Sequence, residues 1–265
     1  MKFNLFTTFF LVSLCTVFIT SCNKDNENNF DNSLLGGKRL SSINENDDTY
    51  FTFEYTNEKL TKIVLSGDDD YGNLKVQRII SFTYLGKIVK VWGGNLQLNK
   101  DGFMESMGDS IRNYATCEYS NGYLTKVNFD YPVHSSDDYY LNDPIEIKYD
   151  KNYNIISAKY TVLQDEYQFT MSNYPSKGIN FFFLGHCFGA DKLGLLWSFY
   201  YAGLLGKNSP NLPSNIKRVE KEGNIMWNRN FSYTFDKDGY VTALTAVTSG
   251  SGFSPYRYTC TFTYE

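Results

Sequence analysis

Phe231-Ser232-Tyr233-Thr234-Phe235 is followed by Asp236-Lys237-Asp238-Gly239 and then by Val241-Thr242-Ala243-Leu244. Aromatic residues alternate with small polar ones, the period of a strand that buries one face. The Asp/Gly break tolerates positive φ and turns the chain. A second strand-like run then returns, so the stretch reads as a β-hairpin.

The unit recurs along the chain. Phe51-Thr52-Phe53-Glu54-Tyr55 turns into Leu60-Thr61-Lys62-Ile63, and Ile80-Ser81-Phe82-Thr83-Tyr84 turns into Ile88-Val89-Lys90-Val91. Ala115–Tyr119 leads through Asn121-Gly122 to Leu124–Val127, and Ile145–Tyr149 leads to Ile155–Ala158. A weaker copy runs from Leu96 to Met107, and Tyr258–Tyr264 reads as a first half whose partner is missing. In each unit one face is apolar, as with Phe51, Phe53 and Tyr55, and the other carries Thr and charge. Composition agrees: 22 Tyr and 21 Phe favour pleated, half-buried surfaces. Hairpins in succession predict a mainly β, water-soluble domain, a curled antiparallel meander with one wet face.

The aromatic face needs a cover. The segment from Gly178 to Gly206 is the most apolar of the chain beyond its N-terminus, and it predicts a hydrophobic helix over about 190–205 packed on that face. Gly206 is the expected stop. Asp191 and Lys192 interrupt the segment, leaving it too short for a membrane span. A membrane-spanning barrel also has Tyr-rich alternating strands, but the charged alternate face argues against one.

The N-terminus gives an address. Lys2 precedes the apolar run Leu5–Ile19, which ends in Ile19-Thr20-Ser21-Cys22. This resembles the lipobox of bacterial lipoproteins, which implies a signal peptide over 1–21, acylation of Cys22 and a membrane anchor through it. Asn23–Asn29 is polar and charged, so 22–38 reads as a flexible tether and 39–265 as one domain. The Lys-acid cluster after Cys22 resembles the surface-export signal of Bacteroidota lipoproteins, implying an outer-membrane lipoprotein, at the cell surface in preference to the periplasmic face.

Lipobox, hairpins and the segment Ala202–Pro213 together resemble a Bacteroidota lipoprotein family of unknown function with a porin-like fold. The hairpins alone are loosely similar to tyrosine-aspartate repeats. The family resemblance implies a curled sheet around an inserted helix and carries no catalytic residue or cofactor.

Candidate chemistry is sparse. The formal net charge is −4 and basic residues are not clustered, which argues against nucleic-acid binding. Cys117, Cys187 and Cys260 are widely spaced, so no disulfide framework is indicated, though one bridge stays open. Cys117 and Cys260 alternate with polar neighbours, as buried small hydrophobes do. His134 lies in a polar loop, and His186-Cys187 lies in an apolar stretch that disfavours a thiolate. Asp68-Asp69-Asp70-Tyr71-Gly72-Asn73 lacks the Gly and Glu of a calcium loop, so no metal site is assigned. Asp109-Ser110-Ile111 resembles the short O-glycosylation sequence of exported Bacteroidota proteins and marks Ser110.

Three functions remain open. The chain binds a protein or glycan partner without catalysis, Trp92 and Trp227 being candidate sugar-stacking residues. It carries an apolar ligand between helix and sheet. Or it is a hydrolase using two carboxylates, the least favoured reading.

Overall fold

The computed structural model describes residues 37–46, 49–68, 74–91, 94–109, 113–130, 142–179 and 196–265. Sixteen strands follow in order: β1 (Leu40–Glu45), β2 (Thr49–Thr56), β3 (Lys59–Asp68), β4 (Leu74–Leu85), β5 (Ile88–Val91), β6 (Gly94–Leu98), β7 (Met104–Gly108) and β8 (Asn113–Ser120). Then come β9 (Tyr123–Phe129), β10 (Ile145–Tyr149), β11 (Ile155–Tyr160), β12 (Glu166–Pro175), β13 (Asn211–Val219), β14 (Ile225–Phe235), β15 (Val241–Gly250) and β16 (Phe253–Tyr264). One helix, α1 (Leu196–Tyr201), lies between β12 and β13.

Each strand pairs antiparallel with its sequence neighbour, and β1 pairs with β16, so the sheet is a closed barrel. This corrects the expectation of an open, curled meander. The missing partner of the last strand is the first one: Ile43 faces Phe262 and Glu45 faces Cys260. Closure leaves no edge strand with unpaired backbone groups.

Alternation sets the faces as the hairpins predict. Phe53, Ile63 and Ile80 are cross-strand partners and all are buried. Thr52, Glu54, Ser81, Thr83, Glu146 and Lys148, on the alternate positions, are exposed. The barrel is therefore apolar inside and polar outside, the reverse of a barrel whose outer band faces lipid. Each fully buried Leu, Ile or Phe contributes about 1.5–3 kcal/mol before entropy is counted.

A barrel of this strand number encloses more space than its own side chains fill. The described part of the β12–β13 connector that carries α1 enters that space. Phe199, fully buried, meets Phe82 on β4 edge-on at 6.4 Å, and Tyr201 meets Phe53 on β2 at 5.0 Å. The Leu204 carbonyl accepts the Met104 amide of β7 at 2.7 Å. These strands lie across the barrel from β12 and β13, so residues 199–204 of the connector lie within the interior.

The helix expected over 190–205 is corrected too. Among the described residues it covers only Leu196–Tyr201, and 202–205 are turns. Gly203, at φ 71°, ends it, not Gly206. The Leu204 amide bonds the Phe199 carbonyl and the Gly203 amide bonds the Tyr200 carbonyl, both at 2.8 Å, the paired bonds of a Schellman stop.

At one end of the barrel, neighbouring strands are tied together along the rim. Tyr55, Tyr84, Tyr119, Tyr149 and Tyr264 each close a strand there, and each donates its hydroxyl to a backbone carbonyl one strand back. The acceptors are Leu40, Leu60, Met104, Leu124 and Val241, the first residues or near-first residues of those strands. Turns at this end share one design. The side-chain oxygens of Asn99, Asp150 and Asp236 accept the amides two and four residues on, at 2.8–3.0 Å. The connector adds further ties: the Lys207 amide donates to the Gly122 carbonyl and the Ile155 amide to Ser209 Oγ.

Candidate functional site

Strand length prepares the opposite end. β14, β15 and β16 have 11, 10 and 12 residues, whereas β5, β6 and β7 have 4, 5 and 5. The repeat read from sequence accounts for the ends of these strands at the tied rim. The additional lengths carry a row of inward residues with a different chemistry.

Thr248 on β15 has Arg229 of β14 and Tyr256 of β16 as its cross-strand partners. Partners across an antiparallel pair share a face. Thr248 is 1% exposed, on the same face as buried Leu244 and Ala246, so the row points inward. Tyr256 is nonetheless 47% exposed, which places this row at the solvent-accessible rim, or mouth, of that end. The Arg229 guanidinium bridges the row: Nε donates to Thr248 Oγ1 at 2.8 Å and one Nη to Tyr256 Oη at 2.9 Å.

The next row outward pairs Trp227 with Gly250 on one side and Arg218 on the other. The Arg229 guanidinium lies 5.0 Å from the Trp227 ring centroid, a cation–π contact. Buried Tyr167 supports the indole at 5.8 Å. Gly250 places no side chain beside it.

The two arginines differ in how their charge is met. Arg218 donates through Nε and Nη to Asp165 Oδ2 at 3.2 and 2.6 Å. Burial opposes its charge, but the Asp165 hydrogen bonds prevail and its pKa is raised. Arg229 has two neutral hydroxyls and an indole, and no carboxylate partner among the described residues. Deeper in the same sector, Tyr258 hydrogen-bonds Glu45, and burial followed by that carboxylate drives the phenol pKa up.

Several carboxylates beside the hairpins have structural partners. Asp143 accepts the Val162 and Leu163 amides, Asp150 caps its own turn, Asp165 pairs with Arg218, and Asp236 binds Lys38 at 2.7 Å. No cluster of metal-ligating side chains occurs among the described residues. Cys117 and Cys260 are free and buried, and burial pushes the Cys117 thiol up to about 12. Cys22, Ser110, His134, His186, Cys187, Trp92 and residues 69–73 lie outside the described residues. Of the two tryptophans singled out in the sequence, Trp227 lies in the mouth. Arg229 was not singled out, because its neighbours Thr248 and Tyr256 come from two other strands.

A solved structure of a porin-like protein from Bacteroides uniformis matches 85% of this chain and 96% of its own, with TM-score 0.63 and 18% identity. A second porin-like protein, from Bacteroides vulgatus, matches 86% of this chain and 99% of its own, with TM-score 0.47 and 14% identity. No family model matches the sequence. No curated protein matches it either. The likeness to the first structure is one of fold: this chain has a porin-like barrel.

Proposed function

We propose that this chain is an outer-membrane lipoprotein of the Bacteroidota type, at the cell surface, held by acylated Cys22, that binds a partner without catalysis. The observation that carries the reading is the contrast between the barrel's ends. Gly37 and Lys38 enter at the tied end, where the Lys38 amide donates to Tyr240 Oη. The Trp227–Arg229–Tyr256 rows lie at the other. A polar outer wall suits a domain in water rather than one in hydrocarbon.

An apolar-ligand carrier is less well supported, since Phe199, Leu204 and Leu205 fill space that such a ligand would need. The carboxylate-hydrolase reading is less well supported, since Asp143, Asp150, Asp165 and Asp236 are engaged by structural partners. Ser110 remains the proposed glycosylation site.

The test is metabolic labelling with an alkynyl fatty acid, combined with protease shaving of intact cells. Wild-type protein takes the label and is cleaved from outside; Cys22→Ala does neither. An unlabelled wild-type protein would overturn the anchor. Labelling with protection from protease would place the domain on the periplasmic face. Pull-down of the lipidated protein in mild detergent then identifies a retained protein or glycan.

A further inference from the structure

We infer that Arg229, Trp227, Tyr256 and Thr248 form a recognition site for a carboxylate-bearing sugar, a uronic-acid unit of an acidic glycan. The inference rests on the binding role proposed above and names its ligand class.

The charge comes first. Arg229 is half-buried and has no anionic neighbour among the described residues, so its guanidinium has lost part of its hydration without regaining it from a counter-charge there, and an anion at this rim is favoured. Arg218, opposite Trp227 on the adjacent strand, shows the contrast because Asp165 already neutralises it. Arg229 is also fixed in place. Thr248 and Tyr256 hold two of its nitrogens and Trp227 holds its face, so little rotamer freedom is left to lose on binding. The remaining N–H groups of the fork match a carboxylate.

The aromatic surroundings favour a sugar over a small free anion. Tyr256 exposes nearly half its surface although it points inward, and Gly250 leaves the edge of Trp227 open. A pyranose offers a C–H face to such rings while its hydroxyls stay wet, and aromatic residues with one polar end serve this kind of half-apolar contact. A uronic acid places its carboxylate at the ring edge, where Arg229 can meet it.

The test is calorimetric titration of the lipidated, mature protein in detergent with oligogalacturonate, with a neutral oligosaccharide of equal length, and with acetate. Oligogalacturonate is expected to bind at least about tenfold more tightly than either, and to weaken as salt rises. Arg229→Gln lowers that affinity about 10- to 100-fold, the loss of one charge-assisted pair. Arg218→Gln leaves affinity unchanged while lowering stability, which separates recognition from folding; thermal melts verify that each variant is folded. Equal binding of the neutral sugar, indifference to Arg229→Gln, or no binding at all overturns the inference. Acetate binding as tightly as oligogalacturonate overturns the sugar class. In each of these outcomes a partner retained in the pull-down would leave the broader binding role standing, whereas loss of Cys22 labelling would remove the anchor and not the site.

Discussion

The Tyr84 hydroxyl donates to the backbone carbonyl of Leu60, one strand back, at 3.0 Å. Leu60 opens the second half of one hairpin and Tyr84 ends the first half of the next, so the bond joins repeat to repeat. Tyr149 and Leu124 repeat the relationship at 2.8 Å, as do Tyr119 with Met104 and Tyr264 with Val241. The recurring pair in the sequence repeat, a Tyr before the turn and an apolar residue after it, therefore describes a clasp between units rather than a contact within one. Phe235 holds the equivalent place in its hairpin without a hydroxyl, and it packs on Tyr174 at 5.1 Å instead.

Removing one clasp keeps the ring and deletes a single hydrogen bond. Tyr84→Phe is expected to cost about 1 kcal/mol in urea unfolding, and Tyr149→Phe about the same. The two rungs lie in separate hairpins, so the double variant loses about 2 kcal/mol. A double variant no less stable than either single one would show that the rungs do not act independently.

Alkali should release the same clasps. Burial raises the pKa of Tyr84 and Tyr149, with neighbouring phenols adding to it. A folded pKa above the unfolded value of about 10 means that the stabilisation is complete below pH 10 and is lost as pH rises further. Urea midpoints are therefore expected to hold up to about pH 10 and fall beyond it. The Tyr84→Phe/Tyr149→Phe variant should show a shallower fall, since two of the titrating groups are gone.

Acid acts on a different tie. Lys38 binds Asp236 and Asp238 at 2.7 Å each, fastening the start of β1 to the β14–β15 turn. The Lys38 hydrogen bond, helped by the Tyr240 and Asp238 amides, holds the Asp236 carboxyl at about 2. A depressed folded pKa gives stability that is present above the unfolded value of about 4 and lost as pH falls toward 2. Asp236→Asn is expected to flatten the pH dependence of the unfolding midpoint across that window. A slope unchanged from wild type would mean that other carboxylates govern acid unfolding.

The hairpins were legible because alternation and turn chemistry are local. Phe231–Leu244 announces two strands and a turn within a short stretch, and Asp236 caps that turn as its position suggests. Closure was not legible, because Leu40-Ser41-Ser42-Ile43 is too polar to stand out as the partner of Phe262, and the two are far apart in sequence. The interior helix was overextended because an apolar run does not reveal where glycine takes positive φ, and Gly203 stops the helix early. The mouth was hidden for a third reason. Arg229, Thr248 and Tyr256 fall where β14, β15 and β16 run past the repeat, and only register brings them together. Trp227 was the one signal available in advance.

Glycine positions give the sharpest contrast between strain and contact. Gly206 has φ 88°, and a Cβ there would lie 2.6 Å from the Gly122 carbonyl oxygen and 3.0 Å from the Tyr119 ring. The oxygen is backbone and is held by the Lys207 amide at 2.7 Å, so it cannot yield without breaking the tie that anchors the connector. Gly86 has φ 64° and nothing within 4 Å of the same point. Gly86→Ala therefore carries only the left-handed backbone cost, about 1 kcal/mol, whereas Gly206→Ala adds a backbone clash to it. Thermal melts are expected to show a drop of about 2–4 °C for Gly86→Ala and at least twice that for Gly206→Ala. Equal drops would mean that the connector at Gly206 shifts freely, and that the tied end is looser than its hydrogen bonds imply.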